Sequence, residues 1–339
     1  DITIPNSDGI TPLTIASMVG DTAYAQQLID AKADVDAKDK NGFTTLILVA
    51  GDGNTDYVQL LIDAKADLEI KDSAGRTALL LAAARGQTEC VRLLIDAKAD
   101  FDAKDEEGNT PLMWATSGAS VGSIQLLVDA KADLNAKNND GRTALIWAVY
   151  LGLNSSFDAL VNAKADVEAR DNDGNTALIF SSVMSVPRLM KVLIAAAANV
   201  DVKNENGVTP LIRAASTGCF ACAQFLISAR ANLNAQCNER KTALIWTVEN
   251  GKTNCTSLLI DAKAHLETKD DGGNTALMAA AREGETECLQ LLVAAKADIL
   301  ARNYEGRNAL MLAADGGHSA CVRFLLTLQV DVFSRRSWD

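Results

Sequence analysis

The sequence predicts an all-α repeat solenoid in the form of a curved rod, and three observations support this fold class. First, Gly recurs every 33 residues from Gly9 to Gly306 without one insertion or deletion, and only Arg240 interrupts the series. Second, nine of ten copies have Thr two residues after this slot, and all ten have Leu two residues later. Third, apolar residues at helical spacing fill the rest of each copy. A period of this length is typical of stacked supersecondary units.

Residues 39–71 show the elements of one repeat in order. Asp39-Lys-Asn-Gly42 has the composition of a tight turn, because Asp bonds its own backbone and Gly accepts a positive φ. This segment is therefore the predicted tip of a β-hairpin. Thr44 is the expected N-cap of a first helix that runs to about Gly51. Three other copies have Pro at the next position, where a first helical turn favours it.

A second, longer helix follows in the same repeat. Gly53 ends the first helix, Thr55 and Asp56 restart the chain, and the apolar run over residues 57–62 has helical spacing. Neither helix alone buries enough apolar surface to offset an ordering cost of about 1–2 kcal/mol per residue. Stability is therefore expected to lie between repeats. Ten layers would form a rod about 100 Å long, with hairpins and first helices on its concave side.

The chain resembles the ankyrin repeat over essentially its whole length. That family reads D-x-x-G-x-T-P-L-H-x-A-A-x-x-G, then a second helix, then G-A-D-V-N. The best copies here are Asp105-Glu-Glu-Gly-Asn-Thr-Pro-Leu-Met-Trp-Ala115 and Asp72-Ser-Ala-Gly-Arg-Thr-Ala-Leu-Leu-Leu-Ala-Ala83. Two departures are systematic: an apolar residue replaces the His after Leu in most copies, and Lys usually replaces the Gly of G-A-D. The resemblance implies helix-turn-helix pairs joined by β-hairpin turns and a role in protein binding.

We expect residues 1–339 to form a single domain of about ten repeats, with partial repeats at both ends. A single globular core usually stops growing below this length, but a solenoid grows by adding layers. Polar capping repeats are not evident at either end. The expectation is therefore that the chain is part of a longer polypeptide or docks its ends on other subunits of a larger complex.

Charge and hydropathy narrow the class of partner. The formal net charge is −12 and the isoelectric point is near 4.7, so the chain repels nucleic-acid phosphates and anionic lipid head groups at long range. The sequence has neither the roughly 18 consecutive apolar residues of a membrane span nor a signal-peptide pattern. The expected partners are proteins, without nucleic acid or membrane insertion, in the cytoplasm or another intracellular compartment.

The cysteines and histidines predict no metal site, no cofactor and no catalytic centre. Five of the seven Cys recur at one position early in the second helix, where small buried apolar residues are expected. Cys219 and Cys222 form a C-x-x-C motif, but no second motif completes a zinc site. His265 and His318 lie in different repeats, so no triad can be built from them. The chain is therefore predicted not to be an enzyme.

Two adjacent copies carry apolar residues at the end of the first helix, where most other copies are polar or small. Repeat five has Tyr150 and Leu151, and repeat six has Val183 and Met184. An exposed apolar patch of this kind is typical of a protein contact. The alternative is that these side chains fold inward around a repacked repeat that contains Pro187. Flanking candidates follow the hairpin Gly of their repeats: Arg142, Asn175 and Phe43.

Two further rows of equivalent residues each allow two interpretations. Trp114, Trp147 and Trp246 share one position in the first helix, where they either pack between layers or form partly exposed contacts. Lys32 and its equivalents stand where the family has a left-handed Gly, so that turn is either strained or bent differently. These lysines either form a cationic ladder for an acidic partner or, as favoured here, pair locally with Asp such as Asp34.

The segment around each hairpin carries two more expectations. A basic stripe precedes the turns, as at Lys38 and Lys71, and neighbouring Asp residues are expected to neutralise it. Repeat eight has lost both the turn Asp and the turn Gly, with Cys237 and Arg240 in their places. This loss predicts a distorted hairpin there.

The leading functional prediction is a non-enzymatic protein-protein interaction scaffold that binds a partner through the concave face. One alternative is a structural spacer subunit of a large assembly, contacted at its ends and on its convex helices. Another is the targeting portion of a larger enzyme or channel. Contacts along the concave groove distinguish the first role from the second.

Overall fold

The computed structural model describes residues 4–336, with side chains described through residue 328. Within these residues there are twenty α-helices and no extended β-strand. Contacts divide the chain into two compact units, Asp1–Asn172 and Asp173–Asp339. The single domain over residues 1–339 stays a prediction.

The helices form pairs, in which odd numbers denote the first helix of a repeat and even numbers the second. The first unit contains α1 (Pro12–Val19), α2 (Thr22–Asp30), α3 (Thr45–Asp52), α4 (Thr55–Asp63), α5 (Ala78–Ala84), α6 (Thr88–Asp96), α7 (Pro111–Ser117), α8 (Val121–Asp129), α9 (Ala144–Tyr150) and α10 (Asn154–Asn162). The second unit contains α11 (Ala177–Val183), α12 (Pro187–Ala195), α13 (Pro210–Thr217), α14 (Phe220–Ser228), α15 (Ala243–Glu249), α16 (Thr253–Asp261), α17 (Ala276–Glu283), α18 (Thr286–Ala294), α19 (Ala309–Asp315) and α20 (Ser319–Arg336). The predicted all-α repeat solenoid of helix pairs is confirmed.

The core of each unit lies between successive helix pairs. First helices pack on the first helices of the next repeat, as α3 does on α5, and second helices pack on second helices, as α4 does on α6. In α5, the side chains of Leu79, Leu80 and Ala82 are 0% exposed although the helix has only 7 residues. Burial of one Leu side chain contributes about 1.5–3 kcal/mol, so short helices are stabilised mainly by their neighbours.

The turn and the first helix begin as the sequence predicts. The Thr44 hydroxyl accepts a hydrogen bond from the Ile47 N–H at 3.3 Å and so caps α3. Upstream, the Asp39 N–H donates to the Phe43 carbonyl at 2.9 Å. Asp39 Oδ1 accepts the backbone N–H groups of Asn41 and Phe43, both at 2.8 Å. The Gly42 N–H also donates to the Asp39 carbonyl at 3.0 Å, so two backbone hydrogen bonds close this tight turn.

The basic stripe before the hairpins bonds to the next repeat. In the first unit, Nζ of Lys38, Lys71 and Lys104 donates to the carbonyl of the residue 33 positions later, at 3.1, 2.8 and 2.8 Å. The neighbouring Asp72 carboxylate accepts N–H groups of its own turn instead. The expected pairing with Asp is wrong for these lysines, because the repeat period brings a carbonyl of the next hairpin within reach of each amine.

Lysine takes a left-handed conformation after the second helices. Lys32 has φ of 67°, and the eight equivalent residues through Lys296 have φ between 63° and 72°. The Lys32 N–H donates to the Ile29 carbonyl and the Ala33 N–H to the Leu28 carbonyl, both at 2.9 Å. These two bonds make a Schellman motif. Of the two alternatives, the strained turn is correct, at a cost of roughly 1–2 kcal/mol per non-Gly residue.

The lysines of this row are not paired with the neighbouring Asp residues. Among the described residues, none of them forms an ion pair. The Asp34 carboxylate instead accepts the N–H of Asp36 at 3.0 Å. The favoured expectation of local Lys-Asp pairing is therefore wrong, because the Asp side chain closes its own turn.

Repeat eight keeps the turn that was expected to be distorted. The Cys237 N–H donates to the Lys241 carbonyl at 3.1 Å, and the Arg240 N–H donates to the Cys237 carbonyl at 2.9 Å, as in the other turns. Arg240 has φ of 56°. The distorted hairpin is thus wrong: the strain lies in one left-handed Arg, because hydrogen bonds to the turns on both sides hold the shape.

Five cysteines are buried free thiols: Cys90, Cys237, Cys255, Cys288 and Cys321. Burial raises the pKa of Cys90 to about 11, so this thiol stays protonated near neutral pH. Cys219 and Cys222 form a disulfide with Cα atoms 5.3 Å apart. The expectation of a merely apolar role is corrected for Cys222, because the start of α14 brings it within disulfide reach of Cys219.

Candidate functional site

A pocket of about 170 Å³ opens in the first unit between α7 and α9. We call it the tryptophan pocket and define it by its lining residues: Trp114, Ser117, Arg142, Trp147, Tyr150 and Leu151. Its rim is Tyr150 and Leu151. Three of the seven predicted contact residues, Arg142, Tyr150 and Leu151, are therefore brought together in one place.

The two Trp side chains form the wall of the pocket. They are one repeat apart, so they occupy the same turn of neighbouring first helices, and their rings meet edge to face with centroids 5.9 Å apart. The Trp114 Nε1–H donates to Asp105 Oδ2 at 2.8 Å, which ties the ring to its own hairpin. Both Trp residues stay partly exposed. The rings of Trp114 and Trp147 therefore pack between layers and also line a surface.

The rim of the tryptophan pocket is apolar and exposed. Tyr150 exposes 40% of its surface and Leu151 exposes 45%. The Arg142 guanidinium lies over the Tyr150 ring, 4.9 Å from the centroid, in a cation–π contact. The alternative of inward folding is wrong for this repeat, because Leu145 and Ile146, each 1% exposed, already fill the inward positions of α9.

The predicted contacts of repeat six lie at the same repeat positions in the second unit. Val183 exposes 39% and Met184 exposes 40%, so inward folding is wrong here as well. Asn175 Oδ1 accepts a hydrogen bond from Asn204 Nδ2 at 2.9 Å, which links two repeats. A role of these residues in binding stays a prediction.

Phe43 is not among the residues of the tryptophan pocket, and its ring faces the Arg76 guanidinium, 5.9 Å from the centroid. The two Trp residues of the wall were left open in the sequence between packing and partly exposed contacts, and were not among the seven predicted contact residues. Met18 and Val19, which expose 63% and 76% at the end of α1, were not predicted as contacts either. The sequence contained the information needed to find this pair, because Met18 and Val19 occupy the same two repeat positions as Tyr150 and Leu151.

The equivalent positions three repeats later have a different chemistry. We call them the charged cluster: Arg213, Ser216, Lys241, Trp246, Glu249 and Asn250. The Glu249 carboxylate, with its side chain only 10% exposed, binds Lys241 Nζ at 2.9 Å and an Arg282 nitrogen at 2.7 Å. A nearly buried, doubly paired carboxylate therefore stands where the pocket has an open Tyr ring.

Electrostatics keep both partners of Glu249 charged. Burial lowers the pKa of Lys241, but hydrogen bonds to Glu249 and Glu239 more than offset it, and the pKa is raised. Burial likewise acts against a charged Arg282, and its bonds to Glu283 and Glu249 raise its pKa. The nearly buried carboxylate of Glu249 is thus neutralised by the neighbouring cations Lys241 and Arg282.

Two buried donors of the charged cluster have no hydrogen-bond partner among the described residues: Trp246 Nε1 and Arg213 Nε. The missing acceptor of the Trp246 indole N–H is explained by one difference in the hairpin. Cys237 occupies the repeat position of Asp105, whose carboxylate accepts the indole N–H of Trp114. No such replacement accounts for Arg213.

Neither a metal-binding cluster nor a membrane span is present among the described residues. Among the described residues, no three His, Cys, Asp or Glu side chains are grouped closely enough to hold a metal ion. Across residues 4–336, none of the helices combines the length and the apolar character that a membrane span requires. The His318 ring lies 2.8 Å from the Arg282 carbonyl oxygen, which gives it a structural contact between repeats.

Comparison with protein families gives one match, and it recurs along the whole chain. A family model described as ankyrin repeats (3 copies) matches the following overlapping segments: residues 1–72, 46–138, 99–171, 118–204, 152–237, 183–270, 229–303 and 259–336. No curated protein matches the chain. The match confirms the resemblance read from the repeat motif.

Proposed function

Since the chain belongs to the ankyrin-repeat family, whose members generally mediate protein-protein interaction, we propose that it is a non-enzymatic scaffold that binds a partner protein on its hairpins and first helices. This surface is the predicted concave face. The observation that carries the proposal is the tryptophan pocket, where large apolar side chains stay exposed beside two Trp rings.

The proposed ligand is an extended segment of the partner that inserts one large apolar side chain into the tryptophan pocket. The cavity of about 170 Å³ suits a single side chain of this kind. Burial of such a side chain contributes about 1.5–3 kcal/mol. Trp and Tyr are enriched at the centres of binding interfaces, because their rings offer large contact areas with few rotatable bonds.

The test uses a displayed library of random peptides selected on the full chain. The dissociation constants of selected peptides are measured on the wild type and on the double variant Tyr150→Ala, Leu151→Ala. We expect the double variant to weaken binding at least tenfold, or about 1.4 kcal/mol, with unchanged helicity by circular dichroism. A second double variant, Val183→Ala with Met184→Ala, tests the equivalent positions of the second unit.

The matched control is Val121→Ala, which removes an apolar side chain of similar exposure, 43%, from a second helix. We expect this control to bind like the wild type. Equal affinities for the wild type and both double variants would refute the proposed surface. Weakened binding by Val121→Ala alone would move the contact to the second helices.

A further inference from the structure

We propose that the indole N–H of Trp147 donates a hydrogen bond to a main-chain carbonyl of the captured segment, an inference that rests on the proposed function. Trp147 lies in the middle of α9 and forms part of the wall of the tryptophan pocket. The whole pocket belongs to the first unit. Such a bond would fix the main chain of the segment beside the side chain that it inserts.

The two indole N–H groups of the pocket wall differ in what they bind. The Trp114 Nε1–H donates to Asp105 Oδ2 at 2.8 Å. The Trp147 Nε1–H has no hydrogen-bond partner among the described residues. Unlike the unpaired N–H of Trp246, it is not buried, so it keeps contact with solvent. The wall therefore offers an accessible donor that the chain itself does not use.

One difference between two hairpins explains why Trp147 lacks an acceptor. Asn138 occupies the repeat position of Asp105. Asp105 Oδ1 accepts N–H groups of its turn, and Oδ2 remains for the indole. Asn138 Oδ1 likewise accepts N–H groups of its turn, but its second group is an amide nitrogen, which donates to Asn109 Oδ1 at 2.9 Å and cannot accept. The amide therefore leaves the indole of its own repeat without a partner.

The proposed occupant of the pocket gives this donor a role in binding. A side chain that fills the pocket excludes water from the Trp rings, and a donor covered without an acceptor weakens binding. An extended segment has a carbonyl next to every side chain, so its main chain can supply the acceptor. Segments that place a carbonyl against the Trp147 N–H are therefore expected to bind more tightly than segments that do not.

The charges around the pocket favour a neutral acceptor. The Arg142 guanidinium lies 3.6 Å from the Asp140 carboxylate and over the Tyr150 ring. A second carboxylate, that of Asp105, contacts the Trp114 indole. An acidic side chain of the segment would be repelled by these two carboxylates, whereas a main-chain carbonyl carries no net charge. The acceptor class assigned here is therefore a peptide carbonyl.

The test uses peptides selected on the full chain, in which each amide next to the anchored side chain is replaced in turn by a thioamide. The sulfur accepts hydrogen bonds more weakly, while the N–H is retained. Dissociation constants are measured on wild type, on Trp147→Phe and on the control Trp114→Phe, which removes an N–H that the chain already uses. We expect one thioamide to weaken binding to wild type and control about fivefold, or about 1 kcal/mol, but binding to Trp147→Phe less than twofold. An equal loss on all three proteins would overturn the inference.

Nuclear magnetic resonance of the indole N–H groups tests the donor without a ligand. The sequence has four Trp residues, so the four indole signals can be assigned by replacing each Trp with Phe. In the free protein we expect the N–H of Trp147 to exchange with solvent faster than the bonded N–H of Trp114. A selected peptide should slow the exchange at Trp147. Protection of this N–H in the free protein would contradict the inference, because the donor would then already be in use.

Asn138→Asp tests the donor while the indole stays in place. We expect the new carboxylate to accept the Trp147 N–H, as Asp105 does for Trp114, and to weaken peptide binding about fivefold with unchanged helicity. The matched control is Asn139→Asp, which adds the same charge at the next, exposed residue and should bind like the wild type. Equal weakening by both variants would assign the effect to charge and overturn the inference.

The outcomes separate this inference from the function on which it rests. Binding that depends on Tyr150 and Leu151, but shows no coupling between Trp147 and a peptide carbonyl, overturns this inference alone. Coupling to Trp147 in peptides that are insensitive to the rim overturns the proposed rim contact alone. Coupling that follows an acidic side chain of the peptide shows that the acceptor class is wrong. A library that yields no binding peptide removes the proposed function and this inference together.

Discussion

The tryptophan pocket and the charged cluster occupy the same six repeat positions, 99 residues apart in sequence, on the same pattern of helices. Two positions are identical in the two sets: Ser117 corresponds to Ser216, and Trp147 corresponds to Trp246. Tyr150 and Leu151 at the rim of the first correspond to Glu249 and Asn250 in the second. The comparison teaches that the repeat determines where a side chain stands, while a few substitutions decide whether that place is an apolar pocket or an ion-paired surface.

The two regions also differ in how the Trp ring is satisfied. Trp114 donates to Asp105 in its own hairpin, whereas Trp246 has Cys237 at the repeat position of that Asp and its N–H has no acceptor among the described residues. The Lys241 ammonium lies over the Trp246 ring, 4.8 Å from the centroid. A single change in the hairpin therefore alters a residue nine positions later, because the turn supports the first helix.

The largest difference in the free energy of unfolding between the two regions is expected at the repeat position that Tyr150 and Glu249 share. Glu249→Ala leaves Lys241 and Arg282 without their nearly buried partner and should destabilise the protein by about 2 kcal/mol, less than a fully buried pair because both cations are partly exposed. Tyr150→Ala should cost about 1 kcal/mol or less, because its ring is already open to solvent. Denaturant unfolding of both variants measures the two changes, and equal values would remove this distinction.

A gain in stability is expected when the hairpin of the charged cluster is given the residue found in the other region. Cys237→Asp supplies an acceptor for the Trp246 indole and for two N–H groups of the turn, and should stabilise by about 1.5 kcal/mol. The reciprocal Asp105→Cys should destabilise by a similar amount. Thermal unfolding measures the stability of both variants. An unchanged stability of Cys237→Asp would show that the unpaired indole N–H of Trp246 does not destabilise the protein.

A feature that both regions share should respond equally in both units. Lys131 and Lys263 each have a positive φ, of 72° and 69°. Replacement of either by Gly should stabilise by about 0.5–1 kcal/mol, because Gly has no Cβ to oppose this conformation. Replacement by Ala keeps the strain and is the matched control. A gain with Ala as large as with Gly would point to the charge and not to the backbone.

The smallest expected effect concerns the pH dependence of the charged cluster. The pKa of folded Lys241 is raised above its ordinary value of 10.5, so its contribution is fully present below that pH and is lost as the pH rises through the folded pKa. The stability difference between wild type and Lys241→Met should therefore stay constant from pH 7 to 9 and shrink above 10.5. We expect this difference to be below about 1 kcal/mol, and a difference that grows above this pH would contradict the sign.

The fold could be predicted from the sequence because its signals are local and repeat in register. The turn Asp, the capping Thr and the apolar spacing each act within one repeat, and the structure has them where the spacing puts them. The exposed rim was predictable for the same reason, because Tyr150 and Leu151 are apolar at two repeat positions where most other copies have polar or small residues. The 33-residue period therefore predicted both the repeated helix pairs and the positions at which single repeats depart from the pattern.

The contacts between repeats could not be predicted in this way. The Lys38 amine was expected to pair with an Asp in its own repeat, but it donates to a carbonyl of the next. The turn at Arg240 was expected to distort, but hydrogen bonds to the neighbouring turns hold it. In both cases the deciding partner lies 32 or 33 residues away in sequence, and spacing within one repeat carries no information about it.

By itself the sequence determined the helix pairs, the turns that join them and the repeat position of each exposed side chain, because short-range hydrogen bonds and apolar spacing govern these features. Only the tertiary structure decided which of those positions form a pocket, which are closed by ion pairs and which donors are left unused. These outcomes depend on atoms from two or three successive layers, and stacking alone brings those atoms into contact.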